Sequence, residues 1–205
     1  MRYFIDLIRH GEPVGGRMFR GAQDDPLSET GWRQMEEAAD MFGGEWQQVI
    51  TSPLIRCRGF AEKIADKMGI GFTVDQGFHE VTFGQWEGCT IEKINQKWPD
   101  KLEEFWQNPF SFTPPGGEPF TEFEKRIEAA WQTLISNLEC ERTLLVAHSG
   151  VIRMVLSKAL GLPAEHMFNI QVPYACISRL EIHPRDNQLP TCTLISHHPN
   201  FAGDK

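Results

Sequence analysis

The sequence lacks the features of a membrane-spanning, secreted or zinc-binding protein. No run among its 205 residues approaches the ~20 consecutive apolar residues of a transmembrane helix. Asp6 and Arg9 interrupt the N-terminal segment, which has neither the apolar centre nor the cleavage site of a signal peptide. The five cysteines are widely spaced and include no C-x-x-C pair, so neither a disulfide framework nor a zinc knuckle is indicated. We therefore expect a cytoplasmic protein.

An excess of positive charge is also missing. Lysine and arginine number 20 against 28 aspartates and glutamates, which gives a formal net charge of −8. Such a chain has no general attraction for nucleic acid or for an anionic membrane, and we expect neither as a partner. Any anionic ligand must instead be held by a local cluster of basic residues. The sequence leaves the oligomeric state open.

Short apolar runs of strand character alternate with amphipathic segments of helical period. The predicted strands lie at 3–8, 48–51, 72–74, 143–147, 175–182 and 191–196, and the predicted helices at 30–42, 53–68, 91–98, 121–138 and 151–160. This alternation predicts an α/β protein with three α/β/α layers and a largely parallel mixed sheet, formed by one domain over residues 1–205. Residues 76–119 are rich in aromatics, proline and glycine, and we interpret them as a small lobe or lid beside the sheet.

Several local motifs are interpreted as structural. Thr30 is expected to cap the first helix, and Thr121 with Glu124 has the spacing of a capping box at the start of the fourth. The acidic residues at 118–128 are expected on a solvated helix face. The two histidines at 197–198 are expected in a solvated tail rather than a metal site, because no partners stand at ligand spacing.

Polar residues follow three of the predicted strands. They are Arg9-His10-Gly11, Ser52-Pro53 with Arg56 shortly after, and His148-Ser149-Gly150. Ligands of open α/β sheets bind at the C-terminal ends of the strands. Taken singly, each histidine or arginine fits an ordinary surface or structural role, but their place at three strand ends favours one shared pocket. Such a cationic pocket suits a tetrahedral oxyanion, above all a phosphoryl group.

Five segments that occur in order along the chain resemble the motifs of a known family. The segments are Arg9-His10-Gly11, DDPLSETG at 24–31, SPLIR at 52–56, EVTFGQWEG at 80–88 and AHSG at 147–150. Together they resemble the histidine phosphatase superfamily, also described as the phosphoglycerate mutase-like clan. The resemblance implies a phosphoglycerate mutase-like fold and phosphoryl-transfer chemistry.

The resemblance also implies a role for each matched residue. His10 would be the nucleophile that forms a phosphohistidine, with a backbone carbonyl fixing its tautomer. Glu80 would donate a proton to the leaving alkoxide and then activate water; the alternative is a lip carboxylate that only pairs with arginine. Arg9, Arg56 and His148 would surround the phosphoryl oxygens, where charge redistributes in the transition state.

A phosphatase is favoured over a mutase, because the Ser/Thr-x-Trp-Asn stretch and long lid typical of the mutases are missing. The expected substrate is a small-molecule phosphate ester, and the PPGGE segment at 114–118 resembles alpha-ribazole-5′-phosphate phosphatases of cobalamin synthesis. A phosphoglycerate mutase-type isomerase and a non-catalytic phosphate-binding regulatory protein stay open as alternatives. Because the arginines supply positive charge, we expect neither a metal nor another cofactor. Further substrate contacts are expected from Gly11, Arg20, Gln23 and Ser149.

Overall fold

Six β-strands form one sheet in the computed structural model, which describes residues 2–186 and 188–199. The first four strands are mutually parallel, whereas the fifth pairs antiparallel with both the first and the sixth. The largely parallel mixed sheet expected from the sequence is therefore confirmed. In chain order the strands are β1 (Tyr3–Arg9), β2 (Gln48–Thr51), β3 (Phe72–Val74), β4 (Arg142–Ala147), β5 (Ile177–Arg185) and β6 (Gln188–His198). Across the sheet their order is β3-β2-β4-β1-β5-β6.

Helices cover both faces of the sheet. Alternate residues of a strand point to opposite faces. Ile5 and Leu7 of β1 belong to a core shared with the fifth and sixth helices, whereas Ile8 belongs to a second core shared with the first two. The three α/β/α layers are thus confirmed. The helices are α1 (Glu29–Phe42), α2 (Ile55–Met68), α3 (Ile91–Lys97), α4 (Lys101–Gln107), α5 (Phe120–Ser136) and α6 (Ser149–Ala159).

The sheet register brings the polar strand ends together. β1 and β4 are parallel neighbours in which Arg9 lies opposite Ala147, so His10 and His148 leave the sheet side by side. β2 flanks β4 on its other side, and the Ser52 N–H donates to the carbonyl of Val146 at 3.0 Å. The three segments that follow these strands therefore meet at one edge of the sheet.

Two predicted helix starts are wrong. The cap of α1 is Ser28, whose hydroxyl accepts from the Gly31 N–H at 3.0 Å, and not Thr30, which lies inside the first turn. The predicted capping box does not form either, because α5 begins at Phe120 after Pro119, which places Thr121 inside the helix. Proline fixes its own φ and has no N–H, which makes it suitable at a helix start without side-chain capping.

The acidic stretch at 118–128 is paired rather than only solvated. Glu118 binds the guanidinium of Arg126 through two hydrogen bonds of 3.0 and 2.8 Å. Glu124 and Glu128 share the ammonium of Lys158 on α6, at 2.6 and 2.9 Å. These carboxylates therefore join α5 to its own N-terminal turn and to α6.

The lobe at 76–119 consists of short helices and 3-10 turns around aromatic side chains. Only α3 is predicted from the sequence. The helix α4 is missed; it follows Asp100, which has a left-handed φ of 66° and makes no side-chain capping hydrogen bond. Its buried Leu102 and Phe105 pack against Trp86 and other aromatics, so tertiary contacts stabilise it rather than its own helical periodicity. Within the described residues, each helix is too short or too polar to cross a membrane.

Candidate active site

A cavity of about 600 Å³ opens where β1 and β4 end. One side, termed here the strand-end wall, is formed by Arg9, His10, Ser149 and Gly150, with Glu80 against it. A second part of the lining, termed the aromatic wall, is apolar. Its rings belong to Phe19, Phe83, Phe105, Trp106, Phe120 and Phe168. A cavity lined by both apolar rings and a few polar groups is typical of a small-molecule site.

His10 is held as a neutral imidazole with a defined tautomer. Its Nδ1 lies 2.7 Å from the carbonyl oxygen of Gly11, which can only accept, so Nδ1 carries the hydrogen and Nε2 keeps its lone pair. Burial, followed by the positive charges of Arg9 and Arg56, holds the pKa of His10 well below its ordinary value of 6.5. An unprotonated Nε2 is the form that attacks an electrophile.

Gly11 itself is required by packing. A Cβ at Gly11 would lie 2.1 Å from the carbonyl oxygen of Gly31 in α1. This close approach brings the start of α1 against the end of β1. Gly11, expected from the sequence as a substrate contact, lies behind the cavity lining and orients His10 through its carbonyl.

Arg9 is fixed by backbone and by an aromatic ring. Its Nη1 donates to the carbonyl of Val172 at 2.7 Å, and its guanidinium carbon lies 4.2 Å from the ring centre of Tyr174. The Tyr174 ring is also 5.8 Å from the His10 ring. Ala175 follows with a φ of 55°, a left-handed conformation that costs a non-glycine residue free energy and turns the chain at this point. Sequence reasoning missed Tyr174, because no local signal places it beside His10.

Arg56 lies behind the site rather than in its lining. Its terminal nitrogens donate to the carbonyls of Gln23 and Gly21 at 2.6 and 2.8 Å, and its Nε has no hydrogen-bond partner among the described residues. The side chain is fully buried, and burial lowers the pKa of its guanidinium. Arg56 therefore ties the loop after the nucleophile to α2 and adds positive charge behind His10.

His148 is also buried behind the lining. Its Nε2 lies 2.6 Å from the Ser52 hydroxyl, and its ring centre is 5.2 Å from that of His10. Burial, then the charge of Arg56, lowers the pKa of His148 well below 6.5. The two histidines thus form a desolvated neutral pair supported by a serine from the end of the neighbouring strand.

Glu80 and Glu87 occupy different environments. Glu80 lines the cavity, and its two oxygens accept from the N–H groups of Gly150 and Val81 at 3.0 and 3.1 Å. Glu80 has these backbone partners, and no arginine or lysine of the described residues lies within ion-pair distance of it, whereas the alternative left open by the sequence was a lip carboxylate that only pairs with arginine. A Cβ at Gly150 would lie 2.4 Å from Oε1 of Glu80, so the close approach requires glycine.

The Glu87 carboxylate, by contrast, is committed to backbone donors. It accepts four N–H groups at 2.8–3.2 Å, and it lies outside the cavity lining. Three of those donors belong to residues 21–23, and the carbonyls of Gly21 and Gln23 hold Arg56. Glu87 therefore stabilises the loop, which sequence spacing alone did not separate from the role of Glu80. The four donors are Gly21, Ala22, Gln23 and Phe83.

The remaining expected substrate contacts divide into two groups. Ser149 and Arg20 line the cavity, but the Arg20 guanidinium is bonded to Asp25 at 2.7 Å and to the Val14 carbonyl at 2.8 Å. Gln23 lies outside the lining, and its amide donates to Asp25. Arg20 and Gln23 thus have structural partners within their own loop.

Arg153 lines the cavity and was not identified from the sequence. It lies one helical turn beyond Ser149, so the i, i+4 spacing in α6 places both on one face and was the available signal. Its Nε donates to the Ile170 carbonyl at 2.8 Å, and its guanidinium carbon lies 5.6 Å from the Phe168 ring centre. Burial lowers the pKa of Arg153, and the charge of Glu80 acts in the opposite direction.

A metal site would require a cluster of side chains that can hold a cation. Across residues 2–186 and 188–199, no three histidine, cysteine, aspartate or glutamate side chains form a group that could hold a metal ion. The paired histidines at 197–198 lie in β6 instead of a solvated tail. The His197 ring contacts the Ser178 hydroxyl and the Gln171 carbonyl, both at 2.8 Å.

A comparison with protein families shows which family the chain belongs to. The model of the histidine phosphatase superfamily (branch 1) matches residues 5–194. The chain belongs to this superfamily. Bifunctional protein Rv2228c of Mycobacterium tuberculosis is 32% identical over 181 residues, which are 86% of this chain and 50% of that protein. The chain thus spans about half the length of this relative.

Other members of the superfamily match over most of their length. Probable phosphoglycerate mutase GpmB of Yersinia pestis is 28% identical, over 86% of this chain and 84% of its own. The structure of mycobacterial glucosyl-3-phosphoglycerate phosphatase Rv2419c has a TM-score of 0.80 and 25% identity, over 95% of this chain and 98% of that one. The alpha-ribazole phosphatase of Shigella flexneri has a TM-score of 0.80 at 24% identity, over 95% of both chains, which shows a shared fold.

Proposed function

We propose that this protein is a metal-independent phosphomonoesterase that hydrolyses a small-molecule phosphate ester through a phosphohistidine at His10. The observation that carries the proposal is the state of His10 in the cavity. Its Nδ1 is committed to the Gly11 carbonyl, and its lowered pKa keeps Nε2 unprotonated at neutral pH. Membership in the histidine phosphatase superfamily supports a phosphoryl-transfer enzyme.

The first half of the proposed reaction transfers the phosphoryl group to the protein. Nε2 of His10 attacks phosphorus, and the bond from phosphorus to the ester oxygen breaks. Glu80 donates a proton to that oxygen, and the alcohol leaves. Arg9 lines the cavity beside His10, and Arg56 and His148 lie behind them. In this proposal these groups stabilise the charge on the phosphoryl oxygens, as a preorganised polar site does.

The second half releases phosphate and restores the protein. Glu80, now a carboxylate, takes a proton from a water molecule, whose oxygen attacks phosphorus. The bond between phosphorus and Nε2 breaks, so His10 returns to its neutral form and Glu80 to its acid form. The contacts of Glu80 with two backbone N–H groups leave further lone pairs on its oxygens for these proton transfers.

The substrate class follows from the cavity. A volume of about 600 Å³ suits a small molecule, and the aromatic wall supplies an apolar surface for its alcohol portion. Alpha-ribazole-5′-phosphate, with an aromatic benzimidazole, is the candidate that the sequence motifs favour. The acidic charge of the chain supports a small ester over a nucleic acid or membrane partner, and its cysteine usage supports a cytoplasmic site of action.

A mutase is the second candidate, because a relative with 28% identity is described as a probable phosphoglycerate mutase. A panel of phosphate esters that includes alpha-ribazole-5′-phosphate and 3-phosphoglycerate separates the two activities. A phosphatase releases free phosphate as the main product. If 3-phosphoglycerate with catalytic 2,3-bisphosphoglycerate instead forms 2-phosphoglycerate faster than phosphate, the mutase is the correct assignment. Phosphate binding without turnover of any ester would contradict both and support a regulatory protein.

A further inference from the structure

A buried turn at residues 173–176 lies against the end of β1. The Pro173 carbonyl accepts from the Cys176 N–H at 3.1 Å, and Ala175, the third residue of the turn, has a φ of 55°. Glycine is the usual residue where a turn requires a positive φ, because a Cβ makes that conformation costly. Backbone strain of this kind persists where the surrounding structure enforces it, and it is concentrated at functional sites.

The contacts that enforce the turn come from Arg9 and His10. The Arg9 N–H donates to the Cys176 carbonyl at 3.0 Å. The Ala175 N–H donates to the His10 carbonyl at 3.4 Å. Just before the turn, the Val172 carbonyl accepts from Nη1 of Arg9 at 2.7 Å. The turn is therefore bonded to both residues at the end of the strand.

This turn brings the ring of Tyr174 to the cavity. Within 172–176, Tyr174 is the residue that lines the cavity, and its neighbours on both sides are buried. The centre of its ring lies 4.2 Å from the guanidinium carbon of Arg9 and 5.8 Å from the ring centre of His10. Its hydroxyl makes no hydrogen bond with the residues that the structure describes. The ring, rather than the hydroxyl, therefore makes the contact with the cation.

An aromatic ring holds a guanidinium without neutralising it. The negative face of the ring attracts the cation, and stacking restricts the rotamers of a flexible side chain. Arg20, another arginine of the cavity lining, is instead paired with the carboxylate of Asp25. A carboxylate beside Arg9 would oppose its charge and compete with phosphoryl oxygens for its N–H groups. The Tyr174 ring does neither, so the charge of Arg9 stays available to a ligand.

We propose that Tyr174 is a positioning residue for phosphoryl transfer, whose ring, placed by the turn at Ala175, holds the Arg9 guanidinium beside His10. The inference rests on the proposed phosphatase function and adds a residue to its machinery. Arg9 is then preorganised, so its side chain does not have to be ordered as the transition state forms. Loss of the ring should therefore weaken binding of the transition state more than binding of the ground state.

Substitutions that remove or keep the ring test this role, with p-nitrophenyl phosphate as the ester. Tyr174→Leu should lower kcat by roughly 3-fold to 30-fold, the range expected for loss of a cation–π contact. Tyr174→Phe keeps the ring and should stay within about twofold of the wild type. Unchanged kcat in Tyr174→Leu, or an equal loss in Tyr174→Phe, would overturn the proposal.

Trp32→Leu is the matched control. The ring of Trp32 is also partly buried, and its centre lies 5.1 Å from Nζ of Lys63, outside the cavity lining. Removal of this ring should change kcat by less than about twofold, because the cation that it contacts is not part of the site. A loss in Trp32→Leu as large as that in Tyr174→Leu would contradict a specific role for Tyr174.

Oxyanion inhibitors separate positioning from a merely structural role. Orthovanadate forms a five-coordinate adduct that resembles the transition state, whereas inorganic phosphate is the product. Tyr174→Leu should raise the inhibition constant of vanadate by about the factor by which kcat falls, and that of phosphate by less than about threefold. Equal changes in the two inhibition constants would overturn the proposal.

Ala175→Gly tests the same role without removing the ring, and it decides the question should Tyr174→Leu fail to fold. Glycine suits the positive φ, so the free energy of unfolding in urea should not fall below that of the wild type. The freer turn should nevertheless lower kcat by about twofold to tenfold, because the ring is placed less exactly. Unchanged kcat would contradict placement of the ring by the turn.

Calorimetric titration with vanadate distinguishes failure of this inference from failure of the proposed function. A wild type that binds vanadate more tightly than Tyr174→Leu, yet releases phosphate from no ester, would refute the phosphatase function. It would leave the role of the ring in oxyanion binding intact. Equal vanadate affinities in an active wild type and in Tyr174→Leu would overturn the role of the ring and leave the phosphatase function intact.

Discussion

The two walls of the cavity hold their side chains in different ways. On the strand-end wall and directly behind it, three ring or guanidinium groups have fixed partners: His10 has the Gly11 carbonyl, Arg9 the Val172 carbonyl and His148 the Ser52 hydroxyl. On the aromatic wall, rings contact one another at 5–6 Å, and Trp106 remains 53% exposed. Directional hydrogen bonds hold the buried side chains of the strand-end wall, whereas the aromatic wall is held by apolar contacts and is partly open to solvent.

The difference indicates that the two walls have different roles: the strand-end wall serves the chemical step, and the aromatic wall serves substrate selection. Hydrogen bonds to backbone fix a nucleophile and its charge environment to within a few tenths of an ångström, as phosphoryl transfer requires. Aromatic packing tolerates different ring positions, which suits recognition of the alcohol portion of an ester. Substitutions on the strand-end wall should therefore reduce turnover, and substitutions on the aromatic wall should change substrate preference.

Apart from loss of the nucleophile itself, the largest effect is expected from Glu80, with Glu87 as its matched control. Glu80→Gln removes the proposed acid and base, so kcat should fall by about 100-fold to 10,000-fold. Glu87→Gln should lower the free energy of unfolding by about 1–3 kcal/mol, since four backbone donors lose a charged acceptor, and leave kcat within about tenfold. Phosphate-release kinetics and urea denaturation measure the two quantities. A reversed pattern would show that the proposed roles are exchanged.

A smaller loss is expected when the position of Glu80 changes but its chemistry does not. In Gly150→Ala the added Cβ would lie 2.4 Å from Oε1 of Glu80, so the carboxylate must move. A displacement of this kind should lower kcat by about 10-fold to 100-fold. The circular dichroism spectrum should stay that of the wild type. Unchanged kcat would show that the contact between Gly150 and Glu80 does not position the acid.

The buried histidines make stability and activity depend on pH in a defined direction. The folded-state pKa values of His10 and His148 are lowered, whereas the unfolded chain titrates near 6.5, so unfolding takes up protons in acid. Stability should be constant above that pH and fall below it, by up to about 1.4 kcal/mol per pH unit for each histidine. The acid limb of kcat/KM should likewise lie below 6.5.

Urea denaturation of the wild type and of His148→Gln between about pH 5 and about pH 7 isolates one histidine. The variant should lose less stability over this interval, because it lacks one of the two groups. Equal pH dependence in both proteins would show that burial of His148 does not lower its proton affinity.

The smallest effect is expected on the aromatic wall. Trp106→Ala removes a half-exposed ring, so the free energy of unfolding should change by less than about 1 kcal/mol. KM for p-nitrophenyl phosphate should rise by roughly threefold to tenfold, since one ring contact is worth about 1 kcal/mol, while KM for glycerol 3-phosphate stays the same. Equal changes for both esters would remove the proposed role of this wall in selection.

Much of the strand-end wall could be predicted from sequence, and the aromatic wall could not. His10, Arg9 and His148 follow strands whose buried apolar runs are visible locally, and parallel strand ends must meet at one edge. The predicted strand boundaries at 48–51 and 72–74 match the structure.

The other features depend on tertiary contacts. Tyr174 reaches His10 through a turn at Ala175, and α4 is stabilised by the lobe core, so neither has a local pattern. Glu80 and Glu87 belong to the same sequence motif, and their roles can be distinguished only by the hydrogen-bond donors around each carboxylate. Arg56 was correctly placed in the first turn of its helix, but its guanidinium faces loop carbonyls rather than the cavity.

The central claim is the covalent intermediate on His10, and trapping it is the most direct test. Wild-type protein is mixed with a phosphate ester that carries a radioactive phosphoryl group and is quenched in alkaline detergent during turnover. We expect label on the peptide that contains His10, stable in base and lost in acid, and no label on His10→Ala, whose turnover should also be abolished. Unlabelled wild type during turnover, or label that persists in His10→Ala, would contradict the account.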